Sequence, residues 1–164
     1  MKQRPPSLGL AMICNVASED LEAALVSARP HFDQAVLVMT TRDEAQLTAL
    51  RAICEKHKVE AHQLADLSIL DEENALLHFG KARQESFDHL TTDWAMWLDA
   101  DDTLEGGEHL RELAASCPPN VIGYWLPYFY TTDEYGNATT VHSRERFMRL
   151  SVGWQWRSRV HETA

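Results

Sequence analysis

Residues 94–103 read WAMWLDADDT: Trp94, Ala95, Met96, Trp97 and Leu98 form an apolar run that ends abruptly in Asp99, Ala100, Asp101 and Asp102. A short apolar run without alternation is what a strand buried on both faces looks like, and a parallel sheet between helical layers needs such strands. In an open sheet of that kind ligands bind outside the carboxyl ends of the strands, which puts Asp99 at the edge where chemistry is done. Alternation along extended backbone turns Asp99 and Asp101 the same way, with small Ala100 between them. Two carboxylates on one side suit a hard cation such as Mg²⁺ or Mn²⁺, which takes one or two protein carboxylates and completes its shell with water and substrate phosphates. An acidic turn after a core strand explains the same letters without any ligand, because Asp favours turns and helix starts.

The pattern recurs upstream. Leu8–Cys14 is a near-continuous apolar run, and Ser18 or Glu19 then opens a helix with Leu21, Ala24, Leu25 and Ala28 on one face. Residues 35–39 are a second buried strand, residues 43–57 a helix with Leu47, Leu50, Ile53 and Cys54 on one side, and residues 59–64 a third, weaker strand. A helical stretch over residues 74–90, led in by residues 71–73, carries Leu76, Phe79, Ala82, Arg83, Phe87 and Leu90 into the run at Trp94. Strands alternating with helices imply crossover units and a parallel sheet. Beyond a short helix near residues 107–115 the periodicity changes: strand-like residues 121–130, a turn at 133–137, and short strands around 139–142 and 146–150 add antiparallel strands. The expected fold class is α/β, a Rossmann-like, mostly parallel sheet flanked by helices with antiparallel strands in the C-terminal half, in one domain over residues 1–164.

With 164 residues, 45% hydrophobic and 24% charged, the chain has the material for one globular core, which excludes collagen-like, low-complexity and wholly disordered classes. No apolar run reaches the length of a membrane span, and Lys2 and Arg4 are followed by no secretory signal core. Cys14, Cys54 and Cys117 are odd in number and unpatterned, so neither a disulfide framework nor a zinc site is indicated, and a reducing cytoplasm is the expected compartment. Cys14 and Cys54 sit in apolar patterns as core residues. The formal charge of −10 argues against a large nucleic-acid footprint. That charge is patterned: Asp93, Asp99, Asp101, Asp102, Glu105, Glu108 and Glu112 crowd one segment, while Arg144, Arg146, Arg149, Arg157 and Arg159 crowd another. Acids followed by arginines suit a site for a metal ion and an anionic ligand together, or two solvated faces of opposite sign.

Residues 78–104, HFGKARQESFDHLTTDWAMWLDADDTL, resemble the family 2 glycosyltransferases of GT-A fold. Members of this type carry an F-x-x-A-R-N helix, a D-W strand start and a W-L-D-A-D-[DE] ending. These correspond to Phe79, Ala82 and Arg83, with Gln84 in place of Asn, then Asp93 and Trp94, then Trp97 to Asp102. Residues 144–163, RERFMRLSVGWQWRSRVHET, resemble the family's R-x-x-R-x-F-R block, its aromatic strand and a terminal V-H-E at Val160, His161 and Glu162. The likeness spans residues 8–163 and is carried by those two blocks. The family's D-x-G-S-x-D-x-T loop is replaced by VMTTRDEAQ, with Met39 or Thr40 at the first Asp and only Asp43 at the later one, which leaves the nucleotide base open.

The resemblance implies a nucleoside-diphosphate sugar donor, a UDP-sugar first among them, and a Mn²⁺ or Mg²⁺ cofactor. It implies metal contact through Asp101, with Asp99 on the metal, a metal-bound water or the ribose, and His161 as a third ligand. Arg83 would turn its fork to the diphosphate, helped by Arg144, Arg146 or Arg149, and Asp43 would serve the nucleotide; a surface Arg83 pairing with Asp88 or Glu85 is the plainer reading. Asp102 and Glu162 are the two candidates for the base that takes the acceptor's proton in an inverting displacement. Tyr128, Tyr130, Trp154 and Trp156 are either a sugar platform or sheet packing. Two other readings share these letters. One is a non-catalytic nucleotide-sugar or carbohydrate-binding domain. The other is a haloacid-dehalogenase-type phosphatase with Asp99 as nucleophile and Asp101 as acid–base, although no Lys follows Lys81 to hold a phosphoryl group. The acceptor is not legible, and the last match falls at the end of the chain, so a missing C-terminal segment or a partner subunit is expected to complete the acceptor groove if the chain is not a minimal enzyme.

Overall fold

A computed structural model describes residues 4–159 of the chain. In order along the sequence these form β1 (Leu8–Cys14), α1 (Glu19–Ala28), β2 (Gln34–Met39), α2 (Glu44–His57), β3 (Glu60–Gln63), α3 (Phe79–Asp88), β4 (Trp94–Trp97), α4 (Leu110–Ala115), β5 (Gly123–Thr132) and β6 (Ala138–Arg149). One sheet runs β3-β2-β1-β4-β6-β5. The first four strands are parallel, and β6 pairs antiparallel to both β4 and β5. The mostly parallel α/β sheet with antiparallel strands in its C-terminal half is therefore the architecture observed.

Side-chain alternation along β1 sorts the helices into two layers. Leu8, Leu10 and Met12 meet Leu21 and Leu25 of α1, Leu47 and Leu50 of α2 and Leu110 of α4 on one face. Ala11 and Ile13 meet Ala82 and Phe87 of α3 on the other, together with Trp97 and Trp156. Cys14 and Cys54 are buried in the first layer, and burial pushes the Cys54 thiol up to about 11. Helix starts are fixed locally: the Ser18 hydroxyl accepts from Leu21 N–H, and the Asp43 carboxylate accepts from Ala45 and Gln46 N–H. Among the described residues no helix is long and apolar enough to cross a membrane.

Two elements differ from expectation. The helix expected over residues 74–90 is shortened to Phe79–Asp88. Ahead of it, the Asp71 carboxylate binds Glu73 and Ala75 N–H, Asn74 takes φ +66, and Leu70 bridges Leu76. The Arg42 guanidinium collects the carbonyls of Leu67, Leu70 and Asp71. Such side-chain–backbone bonds offer the chain an alternative to helix, and here they win. The two short strands around residues 139–142 and 146–150 are instead one strand, β6, interrupted by a bulge. Tyr124 pairs with Phe147 and Trp125 with Glu145, so Arg146 is the extra residue. A bulge re-aims one side chain and breaks the period of two, which makes one strand look like two fragments.

The connection back from β3 through α3 to β4 places β4 on the opposite side of β1 from β2. The topological switch point thus lies between the carboxyl ends of β1 and β4. The segment after β6 is drawn back over the start of α3: Phe79 N–H donates to Arg159 O at 2.9 Å, and the Gln84 side-chain oxygen accepts from Trp156 N–H at 2.8 Å. Gly80 allows this approach, since a Cβ there would lie 2.6 Å from the Ser158 carbonyl oxygen. Gly80→Ala should therefore cost about 1–3 kcal/mol in urea denaturation by forcing backbone away from backbone. An unchanged midpoint would show that residues 157–159 do not pack there.

Candidate functional site

A cleft of about 560 Å³ opens at the switch point. The end of β1 and the loop after it supply Cys14, Asn15, Val16 and Ser18; α3 supplies Phe79 and Arg83; the end of β4 and the turn after it supply Trp97, Asp99, Ala100 and Asp101; and β5 and β6 supply Tyr128 and Arg144. A second cleft of about 880 Å³ lies between α4 and β5 and shares Asp101 and Tyr128 with the first. Asp101 stands where the two meet.

Trp97 organises the floor. The guanidinium carbons of Arg83 and Arg146 lie 4.1 and 3.7 Å from its ring centroid, and its indole N–H donates to the Glu145 carbonyl. Both arginines are almost wholly buried, at 2% and 4% exposure. Buried cations need partners, and the end of β4 provides them. Arg83 Nη2 donates to Asp99 Oδ1 at 2.8 Å, Arg146 Nη2 pairs with Asp99 Oδ2 at 3.5 Å, and the same nitrogen donates to Asp102 Oδ2 at 3.1 Å. The Tyr128 hydroxyl donates to Asp102 Oδ1 at 3.0 Å.

Burial raises the Asp102 carboxyl above its ordinary value, and neighbouring Asp99 adds to the rise while Arg146 opposes it. Burial, reinforced by Asp102, pushes the Tyr128 phenol up to about 12. Burial also pulls Arg146 below its ordinary value, but it stays a cation across the physiological range.

Asp99 and Asp101 both line the first cleft, but a turn and not strand alternation brings them there. The backbone turns after Asp99, with Asp102 N–H donating to Asp99 O at 3.2 Å. Asp99 faces the arginines, while Asp101 is exposed and accepts no hydrogen bond or ion pair among the described residues. Among those residues no cluster of three or more His, Cys, Asp or Glu could hold a metal ion. Among the described residues a divalent cation would be held by the open Asp101 carboxylate, with the oxygens of a bound ligand and water completing its shell, a pattern Mg²⁺ and Mn²⁺ accept. His161 and Glu162 lie outside the described residues.

The expected residues do not all meet at the switch-point cleft. Arg83 pairs with Asp99 and not with Asp88 or Glu85, which take Gln84 and the Ala65 N–H. Asp43 caps α2 and is not among the residues lining either cleft. Arg149 reaches the Val121 carbonyl and the Trp94 ring and is not among the residues lining either cleft. Trp154 and Trp156 pack against the α3-side core, whereas Tyr128 and Tyr130 line clefts. Residue patterns missed the Tyr128–Asp102 bond and the seat that Trp97 makes for two arginines. The one available signal was the placement of aromatics beside arginines and acids in adjacent strands.

No family model matches the chain, and no curated protein matches it. Among solved structures it resembles TarS residues 1–349 from S. aureus in complex with UDP, at TM-score 0.48 and 18% identity over 66% of this chain and 31% of that one. It also resembles glucosyl-3-phosphoglycerate synthase from Mycobacterium tuberculosis in complex with UDP, at TM-score 0.43 and 10% identity over 59% of this chain and 34% of that one. The chain thus spans about a third of the length of these proteins.

The raised Asp102 carboxyl has a stability consequence. A folded-state value above the unfolded one means that the folded protein binds the proton more tightly, so this group's contribution is present at low pH and lost as pH rises through the folded value. The stability of Asp102→Asn relative to the unsubstituted protein should therefore climb as pH rises from the ordinary 3.8 through the elevated value. Denaturation midpoints across that range check the sign; a difference that falls with pH contradicts the placement of Asp102.

Proposed function

We propose that the chain forms the donor-binding part of a divalent-metal-dependent glycosyltransferase of GT-A type. In this reading it moves a sugar from a nucleoside-diphosphate sugar to an acceptor hydroxyl with inversion. The carrying observation is the open Asp101 carboxylate at the switch-point cleft, beside Asp99 and Asp102 whose charges are matched by Arg83 and Arg146. Of the three acids, Asp101 alone makes no ion pair among the described residues, which leaves it open to a ligand-borne cation. The sequence likeness in residues 78–104 and 144–163 supports the same reading.

A divalent ion held by Asp101 supplies positive charge to diphosphate oxygens when bound. Arg83, fixed by Asp99, and Arg144 line the cleft with positive charge and stabilise the diphosphate as it departs. Asp102 is the described candidate for receiving the acceptor proton, because burial lifts its basicity above that of an ordinary carboxylate. Tyr128 holds one of its oxygens in place and Arg146 the other. A phosphatase reading needs Asp99 to attack phosphorus, yet each Asp99 oxygen faces a guanidinium, which lowers its nucleophilicity and holds its orientation.

Calorimetry with UDP and with GDP, each with and without Mn²⁺, tests the proposal. Metal-dependent binding should appear in the unsubstituted protein and weaken by about tenfold or more in Asp101→Asn, with melting temperature unchanged because Asp101 is exposed and bonds to nothing among the described residues. Absence of nucleotide binding under every metal condition would overturn the donor-site reading.

A further inference from the structure

The second cleft holds side chains that the donor chemistry does not use. Its walls are Leu104, Leu113 and Leu126, which pack partly buried against the core, with Tyr130 at 63% exposure on the β5 side. Its floor is Asp102 with Arg146, and Tyr128 and Asp101 form the rim it shares with the first cleft. At about 880 Å³ it has the volume of a small-molecule pocket and not of a flat protein-docking face.

Its charges are one-sided. Arg146 is already shared between Asp99 and Asp102, and His109 lies 3.5 Å from Glu108. Glu105 and Asp101 make no hydrogen bond or ion pair among the described residues. An anion entering here would meet the uncompensated Glu105 carboxylate and, among the described lining residues, no unshared cation, whereas an apolar body would meet leucine and tyrosine walls.

We infer that this cleft binds an uncharged alcohol with an apolar body, the acceptor of the transfer, and that Glu105 excludes anionic acceptors. The inference rests on the glycosyl-transfer reading for the word acceptor alone; the ligand chemistry follows from the cleft. A hydroxyl reaching its floor stands beside the Asp102 carboxylate and next to the rim of the first cleft. The apolar body contributes burial energy at walls remote from the reacting atoms, where it orients the hydroxyl.

The test uses three probes on the isotope-labelled full chain: 4-nitrophenyl β-D-glucoside, which is neutral, its 4-carboxyphenyl analogue and its 4-(aminomethyl)phenyl analogue. The neutral probe should shift the amide resonances of Leu104, Leu113 and Leu126. Tyr130→Ala, a change at an exposed position, should weaken that binding by about tenfold while leaving UDP binding as it was. The carboxylate probe should leave those resonances unmoved until Glu105→Lys admits it. Equal binding of neutral and carboxylate probes overturns the inference, as does tighter binding of the amine probe or no response at the three leucines. Loss of UDP binding with the probe response intact overturns only the donor-site reading; loss of the probe response with UDP binding intact overturns only the assignment of this cleft.

Discussion

Two buried guanidiniums facing two carboxylates, with a third carboxylate beside them, set the terms for this site. Arg83 comes from α3 and Arg146 from β6, and both lie against Trp97 with almost no contact with water. Taking two cations out of water is costly unless carboxylates and hydrogen bonds compensate, and breaking such a pair strands a charge. Asp99 and Asp102 supply the compensation, so their orientation is fixed by the interior of the protein and not by any ligand. The third acid, Asp101, is left over. An exposed carboxylate at the mouth of a site with cations beneath it suits a metal ion brought in on a phosphate.

The rest of the fold serves that arrangement. The crossover that places β4 beside β1 brings the acids to the switch point, where the loop after β1 forms the facing wall. The bulge makes Arg146 the extra residue of β6 and aims it at Trp97 and Asp102. The segment after β6 is tied to α3 through Phe79, Gly80 and Gln84, which anchors the helix carrying Arg83. Gln84, where the resembled family has Asn, has a visible task in this chain, holding the Trp156 amide.

Strands and helices were legible where hydrophobic period and caps agreed. β1, α1 and α2 fall where the patterns put them, because Ser18 and Asp43 cap helices whose buried faces read cleanly. Residues 74–78 misread because Asp71 and Asn74 satisfy the backbone locally, and β6 misread because a bulge hides in a broken alternation. In the site, the acids at residues 99–102 and Arg83 were legible as chemistry-bearing residues, but their pairing was not. Which carboxylate is spent on an arginine depends on a backbone turn and on a side chain from β6, some 45 residues away in sequence. Asp43, at a position matching a binding motif, has a structural task of its own, capping α2.

A crystal structure of the protein grown with Mn²⁺ and UDP tests the division of labour among the three acids most directly. Anomalous scattering should place manganese against Asp101 and the diphosphate, with the Arg83–Asp99 and Arg146–Asp102 pairs intact. Manganese bound through Asp99 with Arg83 displaced, or no manganese in the switch-point cleft, would contradict it.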